Sequence, residues 1–419
     1  MPLSAQPLEA DLRPVGNRQA LWAHLHPKLP VSNNQFMLNF PLLTSQLPEI
    51  LKELQTQKGK QGDSLEEALN IFEKSGDLSE VKQKYLRDEA KVTWLIGLPA
   101  EDLKRTYPLV EVRNHYSVAA TDGSGFELSR HEAVQAYLIN TGQVHLKYGE
   151  DSVADLENKP ELYYKEEDLI VGKKAKRNTI KATHIDLKRD LTELRELYKL
   201  AKSKQVDLAL VDGSLIRWTL ESTEDYFKQA YLKDYLETLS QFKEARIALA
   251  SYISASASTE STNFLRILVC PYDPINCDKC KDLPCAKVEG VLDRFIFEDS
   301  LKVGERSILF ESRSKILKEY AEHKIHFFYL NVGSEIARIE LPQYVAEDQE
   351  LLSQVHSLVF DQAQKGKGYP VSLMEAHEQA VVKTRDKELF FQMIEKELVK
   401  SGRVIKKSEK SGSKRRKWL

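Results

Sequence analysis

The chain of 419 residues lacks both a long hydrophobic run and a strong net charge. It contains no stretch of about 18 consecutive apolar residues, and its N-terminus has no basic segment followed by an apolar core. The sequence therefore predicts neither a membrane span nor a secretory signal, and we expect a cytoplasmic, nucleoid-associated protein. Lys and Arg number 61 against 63 Asp and Glu, a net charge of −2. This balance excludes a histone-like polycation and leaves any nucleic-acid affinity to local patches.

One such patch lies at the C-terminal end of the sequence. From Arg403 to Leu419 the chain carries eight Lys or Arg against one Glu, among Gly and Ser residues. We interpret residues 401–419 as a basic disordered tail, because little in this segment could pack against a core. Such a tail either contacts phosphates or only keeps the chain in solution, and both interpretations stay open.

Cysteine is scarce, and its four occurrences are concentrated in one short segment. Cys270, Cys277, Cys280 and Cys285 lie within sixteen residues that also contain three prolines. One tight loop thus carries enough thiols for a tetrahedral zinc site. Disulfides are not expected in a reducing cytoplasm. The segment is interpreted as a structural Zn²⁺ site, an iron–sulfur site, or a group of free or redox-active thiols.

Hydrophobic periodicity divides the chain into two parts. Residues 1–110 carry apolar residues at three-and-four spacing and predict an N-terminal helical region. Residues 111–400 mix strand and helix patterns, which predicts an α/β domain. Within it we expect a helix over 185–205, a strand over 206–215, one long or broken helix over 225–254, a strand over 264–270, a hairpin over 325–342 and a loop or inserted excursion over 150–182.

The tripeptide Asp-Gly-Ser occurs twice, at 122–124 and at 212–214, each time after small and apolar residues. Asp-Gly-Ser-Gly at 122–125 and Asn-Thr-Gly at 140–142 predict turns between short strands. The recurrence also predicts that the carboxylates of Asp122 and Asp212 meet side by side in one sheet. Oxygen ligands of this kind suit Mg²⁺ or Mn²⁺, which can activate water and neutralise the charge of a phosphodiester transition state.

Five segments extend this pattern along the chain: ATDGS (120–124), LALVDGSLI (208–216), VLDRF…FEDSLKVGERSILF (291–310), FFYLNVGSEIARIELPQYVA (327–346) and GYPVSLMEAHEQAVV (368–382). In this order they resemble the NurA family of DNA repair nucleases, over roughly residues 115–395. The resemblance implies an RNase H-like mixed sheet flanked by helices and a homodimer. It also implies Mn²⁺- or Mg²⁺-dependent cleavage of single- and double-stranded DNA, as a 5′-to-3′ exonuclease, a single-strand endonuclease or both. The family acts in end resection of double-strand breaks with a hexameric HerA-type ATPase.

The resemblance implies three metal-binding carboxylates. Asp122 and Asp212 match the aspartates of the family, and the third group is a glutamate on the helix before the second aspartate. Glu193 and Glu196 both lie at a suitable distance, three residues apart on that helix. Glu196 is the preferred candidate and Glu193 the alternative.

Two further catalytic residues follow from the same resemblance. Tyr369 and His377 match a Tyr and a His that lie eight residues apart near the end of the family's domain. A histidine beside a metal-bound phosphate can act as a ligand or as a proton donor near neutral pH. The rival interpretation is a non-catalytic RNase H-like protein that binds DNA or acts as an adaptor.

Other charged residues carry weaker signals. Arg306 has a side chain suited to a phosphate, and an ion pair with Glu305 or Glu311 is equally compatible with the sequence. Arg338 and Glu340 alternate on a predicted strand and therefore share one face. They either pair with each other or lie near the active-site cleft.

Overall fold

The computed structural model describes residues 38–128, 135–172, 178–281 and 283–402. The chain divides into two compact units, Met1–Lys60 and Gln61–Leu419. In the first unit, the described residues from Phe40 onward begin a long helix. The basic tail predicted from the sequence lies outside the described residues from position 403 onward.

The helices of the described residues are α1 (Phe40–Lys74), α2 (Ser79–Asp88), α3 (Glu166–Leu169), α4 (Ala182–Lys204), α5 (Asp225–Glu244), α6 (Glu260–Leu268), α7 (Asp293–Ser300), α8 (Gln343–Ala346), α9 (Gln349–Lys365), α10 (Val371–Ala380) and α11 (Thr384–Lys400). The strands are β1 (Gly97–Pro99), β2 (Thr106–Tyr107), β3 (Tyr116–Leu128), β4 (Ala136–Tyr148), β5 (Val153–Tyr163), β6 (Ile170–Val171), β7 (Asn178–Thr179), β8 (Leu208–Asp212), β9 (Leu249–Ile253), β10 (Arg306–Ser307), β11 (Phe310–Ser312), β12 (Ile325–Asn331) and β13 (Ile336–Pro342). Turns of 3-10 helix lie at Glu89–Lys91, Trp218–Ser222, Cys277–Lys279, Pro284–Val288 and Lys315–Glu319. No helix within the described ranges is both long enough and apolar enough to cross a membrane.

Eleven strands of the described residues form one sheet, and its centre has the order β5-β4-β3-β8-β9. β4 runs antiparallel to both β3 and β5, whereas β8 is parallel to β3 and β9 is parallel to β8. α4 connects β7 to β8, and α5 connects β8 to β9. Five strands in this order, with the second antiparallel to the other four, form the RNase H-like arrangement. The predicted mixed sheet flanked by helices is therefore confirmed.

Two hydrophobic clusters cover the two faces of the central strands. On one face, Val118 and Ala120 of β3 pack with α9 and α10. On the other face, Ala119 packs with the leucine stripe of α4 and with α5. Side chains alternate between the faces along each strand, so the position of a residue in β3 decides which helices it meets.

Residues 61–110 belong to the same compact unit as residues 111–400. Phe72 of α1 and Tyr85 of α2 are buried in one cluster with Phe310 of β11. The strands β1 and β2 pair with β11 and β10. A helical pattern in this region thus conceals two short strands that extend the main sheet.

The predicted turns at Asp-Gly-Ser-Gly and Asn-Thr-Gly were wrong. Residues 122–125 lie inside β3 and residues 140–142 inside β4. The glycines allow close packing here instead of chain reversal. A Cβ on Gly142 would lie 2.2 Å from the carbonyl oxygen of Ala376, so the missing side chain lets α10 approach the sheet.

Three other predictions were wrong for identifiable reasons. The apolar segment 264–270 is mostly helix α6, and all its residues from Glu260 to Ile267 are buried, which hides the helical period. The helix predicted over 225–254 ends at Glu244 because Arg246 has a φ of +51°, and β9 follows. The predicted loop contains β5, an edge strand whose mostly exposed residues show little apolar alternation.

The remaining elements agree with the sequence analysis. The predicted helix over 185–205 corresponds to α4, and the strand that follows corresponds to β8. The hairpin over 325–342 is the antiparallel pair β12 and β13. These segments are confirmed because each has a single buried stripe or is buried throughout its length.

Candidate active site

The two aspartates come from adjacent parallel strands. Val118 pairs with Leu208 and Thr121 with Val211, so Asp122 and Asp212 are the next residues on β3 and β8. Their side chains share the face of Ala120 and Leu210 by alternation. Asp212 ends β8, and Gly213 then turns the chain with a φ of +78°. The parallel register therefore brings Asp122 and Asp212 to one edge of the core.

His377 contacts the first aspartate from α10. Its Nδ1 lies 2.8 Å from Asp122 Oδ2, while the backbone N–H of Gly123 donates to Oδ1 at 2.8 Å. The His377 side chain is 64% exposed and that of Asp122 is 18% exposed. The pair is thus open to solvent on the histidine side, where a substrate could approach.

Tyr369 contacts the second aspartate from the segment before α10. Its hydroxyl donates a hydrogen bond to Asp212. Partial desolvation raises the pKa of Asp212, and this hydrogen bond opposes the rise. The Tyr369 ring meets Tyr252 edge to face at a centroid distance of 5.2 Å, and the Tyr252 hydroxyl donates to Glu335 at 2.8 Å. Tyr369 is therefore held by packing on one side and by Asp212 on the other.

Glu193 approaches the site from α4, on the opposite face of β3. A Cβ on Gly123 would lie 2.3 Å from Glu193 Oε1, so the carboxylate occupies the space that the glycine leaves. Arg189 Nε lies 3.2 Å from the same oxygen. Burial raises the pKa of Glu193 to about 8, and the negative charges of Asp190 and Asp122 add to the rise. Glu193 is thus a largely buried carboxyl group, 13% exposed, that lies near enough to Asp122 to feel its charge.

Glu196 has a different environment. Its carboxylate accepts hydrogen bonds from Lys199 at 2.6 Å, Lys159 at 2.9 Å and Gln143 at 3.0 Å. Burial acts to raise its pKa, but the two lysines outweigh burial and leave the pKa of Glu196 below its ordinary value. These contacts occupy both carboxylate oxygens. Glu193 therefore lies near Asp122, whereas Glu196, the candidate preferred from the sequence, forms ion pairs with Lys159 and Lys199.

The sequence analysis missed a polar group next to Glu193. Arg217 Nη1 lies 3.1 Å from Asp190 Oδ2, and Arg189 Nη2 lies 3.2 Å from Asp190 Oδ1. Both guanidinium groups act against the rise in the pKa of Glu193. Arg217 follows the second Asp-Gly-Ser by three residues, but no local pattern connects it to a helix residue 24 positions earlier.

Arg306 does not have either of the roles considered from the sequence. It is buried, its guanidinium carbon lies 3.9 Å from the ring centroid of Tyr107, and its Nη1 donates to the carbonyl of Ser307. Burial lowers the pKa of Arg306 to about 10. Arg306 is therefore a packed core residue that stacks on an aromatic ring.

The donor set at this site suits a hard divalent cation. Asp122, Asp212 and Glu193 supply carboxylate oxygens, the ligands that Mg²⁺ and Mn²⁺ prefer. Among the residues that the structure describes, no three His, Cys, Asp or Glu side chains are already arranged to hold a metal ion. Cation binding would thus require side-chain movement at the site and loss of the proton that burial favours on Glu193.

The four cysteines form a second group, in the segment that follows α6. Cys270, Cys277, Cys280 and Cys285 are free thiols that line one cavity of about 20 Å³ together with Trp94. Burial raises the pKa of the Cys277 thiol, and the other three cysteines are near enough to add to this rise. The segment therefore brings all four side chains around one small space, although they are not yet arranged as a ligand set.

Comparison with known proteins gives one family and a few similar structures. Residues 116–382 match the model of the NurA domain. A NurA nuclease structure from Sulfolobus solfataricus has 14% identity and a TM-score of 0.49, and the match covers 85% of this chain and 98% of that one. Thermus thermophilus RuvC alone and RuvC in complex with Holliday junction substrate match with 13% and 10% identity and TM-scores of 0.16 and 0.15. Each of these two matches covers 44% of this chain and 95% of the RuvC chain. No curated protein sequence matches.

The structural similarities are too distant to assign an activity, whereas the family model covers more than half of the chain and includes Asp122, Asp212, Tyr369 and His377. The chain belongs to the NurA family.

Proposed function

We propose that this chain is a Mn²⁺- or Mg²⁺-dependent deoxyribonuclease. Membership of the NurA family supports a nuclease, and DNA is the partner that such an activity requires. The observation that carries the proposal is the pairing of two strand-borne aspartates, each with its own polar partner: Asp122 with His377 and Asp212 with Tyr369. A site at the end of β8, in the middle of the sheet, that gathers carboxylates beside an exposed histidine suits hydrolysis of a phosphodiester.

Each residue has a distinct role in this proposal. Asp122, Asp212 and Glu193 would hold the cation, which would supply Lewis acidity for hydrolysis. Tyr369 donates to Asp212 and fixes the orientation of its carboxylate. His377 is exposed enough to meet a phosphate or to exchange a proton with the leaving oxygen.

A nuclease assay with Mn²⁺ on 5′-labelled single- and double-stranded DNA tests the proposal. We expect cleavage by the unaltered chain and a loss on the order of a hundredfold or more in Asp122→Ala and in Asp212→Asn, because each removes a cation ligand. Equal activity in all three proteins would refute the site. Absence of activity in the unaltered chain, with DNA binding retained, would instead support the non-catalytic adaptor.

The family resemblance extends the proposal to a cellular role. We propose that the chain is a 5′-to-3′ exonuclease, a single-strand endonuclease or both. It acts as a homodimer with a hexameric HerA-type ATPase in end resection of double-strand breaks, and it is cytoplasmic and associated with the nucleoid. Co-purification of the full chain with a HerA-type ATPase, and faster cleavage in its presence, are the expected results. Failure of the two proteins to co-elute, with no change in the cleavage rate, would contradict the partnership.

For the cysteine segment we propose a structural Zn²⁺ ion. The support is that four thiols line one small cavity, and rotation between staggered side-chain conformations could bring the thiols together as ligands. Metal analysis of the purified chain should find about one zinc per chain, and Cys277→Ser with Cys280→Ser should remove it. A visible absorption band with bound iron, or no metal in the unaltered chain, would overturn the proposal.

A further inference from the structure

The turn after Asp212 leaves the sheet and meets one buried carboxylate. The N–H of Gly213 still donates to the carbonyl of Tyr252 at 3.1 Å, as the last bond between β8 and β9. The next two residues turn toward Glu340. Ser214 Oγ and the backbone N–H of Leu215 both donate to Glu340 Oε2, each at 2.8 Å.

The other oxygen of Glu340 pairs with an arginine on the same strand. Arg338 Nε donates to Glu340 Oε1 at 2.9 Å, and the two residues share one face of β13. Both are almost completely buried, with 2% and 1% of their surfaces exposed. The guanidinium carbon of Arg338 lies 3.7 Å from the ring centroid of Phe327. A charge-assisted pair in such a dry setting is stronger and more directional than a surface pair.

A second buried glutamate shares this arginine without touching the turn. Glu260 Oε1 lies 2.7 Å from Arg338 Nη1, and Glu260 Oε2 accepts from Ser312 Oγ at 2.7 Å. Glu260 is 2% exposed. It therefore matches Glu340 in burial and in cationic partner but not in contact with the residues after Asp212.

The turn is also held from its other side. The carbonyl oxygen of Leu215 accepts hydrogen bonds from the hydroxyls of Tyr235 at 2.8 Å and Tyr320 at 3.2 Å. Glu340 binds the N–H of the peptide group between Ser214 and Leu215, and the two tyrosines bind the carbonyl of the next peptide group, between Leu215 and Ile216. Both peptide groups that flank Leu215 are therefore held, three residues after β8 ends at Asp212.

We propose that Glu340 is a positioning residue that holds the 213–217 turn, and through it the carboxylate of Asp212, in the orientation needed to bind a divalent cation. The inference rests on the proposed metal-dependent function of Asp212. A glutamine at position 340 cannot reproduce the contacts, because its amide group would face either Arg338 or the two donors of the turn. Glu340 acts through Asp212 and does not touch a reacting atom.

The test compares Glu340→Gln with Glu260→Gln in the full chain. Both changes remove one carboxylate from Arg338, so both are expected to lower the midpoint of thermal unfolding. Only Glu340→Gln should raise the Mn²⁺ concentration that half-saturates the protein, by roughly tenfold, as expected for loss of an outer contact to a metal ligand. Mn²⁺ binding is measured by electron paramagnetic resonance, and Glu260→Gln should stay within about twofold of the unaltered chain.

Hydrogen–deuterium exchange provides a measurement that does not depend on activity. Residues 213–217 should exchange faster in Glu340→Gln than in Glu260→Gln, because the Leu215 N–H has lost its charged acceptor. If Glu340→Gln fails to fold, Ser214→Ala removes one donor, leaves the buried pair intact, and should shift Mn²⁺ binding in the same direction.

The outcomes separate this inference from the proposed function. If Asp212→Asn abolishes Mn²⁺ binding but Glu340→Gln and Glu260→Gln give equal shifts, the positioning role is refuted and the metal site stands. If Asp212→Asn leaves Mn²⁺ binding unchanged, the metal site itself fails and the inference fails with it. Equal exchange of residues 213–217 in the two glutamate variants would also overturn the positioning role.

Discussion

At the scale of single residues, the two Asp-Gly-Ser tripeptides have different structural roles. Gly123 lies inside a strand, where its missing side chain makes room for Glu193. Gly213 has a φ of +78° and open space around its Cα, so it serves to turn the chain. One tripeptide therefore leads to two conformations. The sequence predicted that Asp122 and Asp212 lie side by side in one sheet, which agrees with the pairing of β3 with β8, whereas the turn predicted at 122–125 was wrong.

The choice between the two glutamates of α4 gives a matched prediction. Glu193→Gln should lower Mn²⁺-dependent cleavage by on the order of a hundredfold, because it removes a carboxylate next to Asp122. Glu196→Gln should leave cleavage within about twofold and lower stability by about 1 kcal/mol, since its lysine partners are half exposed. Cleavage rates and urea unfolding of both variants check this. The reverse order of activities would make Glu196 the third carboxylate.

The sequence could not settle this choice for a geometric reason. Glu193 and Glu196 are three residues apart, so their directions around the helix differ by only about 60°. Both flank the buried leucine stripe of α4. The space over Gly123 and the position of Lys159 decide between them, and both features belong to strands distant in the chain.

A glycine substitution tests how closely α10 must approach the sheet. In Gly142→Ala the new Cβ would meet the backbone of Ala376 at 2.2 Å and of Ala380 at 2.6 Å. Because α10 carries His377, we expect a loss of about 1–3 kcal/mol in unfolding free energy together with lower cleavage. Gly76→Ala, with nothing within 4 Å of the added atom, is the control. Wild-type behaviour of Gly142→Ala in both measurements would contradict this packing.

At the scale of whole elements, prediction succeeded where burial is one-sided or continuous. α4 has one leucine stripe, and β12 and β13 are apolar along most of their length. Prediction failed where all sides of a helix are buried, as in α6, and where both faces of an edge strand meet water, as in β5. In both cases the environment removes the periodic signal.

The packing of α9 gives a prediction about pH. His356 is buried, and its Nε2–H donates to the carbonyl of Gly304 at 2.8 Å. Burial lowers its pKa to about 4 from an ordinary value of 6.5. The unfolded chain therefore binds more protons between these values, so stability is lost as the pH falls from about 6.5 to about 4. His356 lowers the free energy of unfolding by at most about 3 kcal/mol over this pH range.

Urea unfolding at several pH values measures this contribution. His356→Gln should be less stable at pH 7, because it disturbs a buried hydrogen bond, but its stability should fall less steeply between pH 6.5 and 4. Parallel pH profiles for the two proteins would assign the acid sensitivity to other groups, such as His323 and His326, whose pKa values burial also lowers.

At the scale of the whole molecule, residues 403–419 concentrate eight Lys and Arg against one Glu, whereas the rest of the chain carries 53 Lys and Arg against 62 Asp and Glu. We expect their removal to weaken DNA binding and to flatten its dependence on salt. On single-stranded DNA the slope of log K against log salt should decrease by at most about 0.7 for each of the eight Lys and Arg lost. Binding titrations in an Asp122→Ala background avoid cleavage. An unchanged slope would mean that the tail does not contact phosphates.

The strand order determines how much of the chain must be made and folded before the candidate site is complete. Asp122 and Asp212 are 90 residues apart, and Tyr369 and His377 follow more than 150 residues later. They meet only after β8 has been placed beside β3 and α10 has been laid across β4. A chain released early by a stop codon, or still emerging from the ribosome, holds at most part of this group. If the proposed function is correct, a chain that ends before α10 should not cleave DNA.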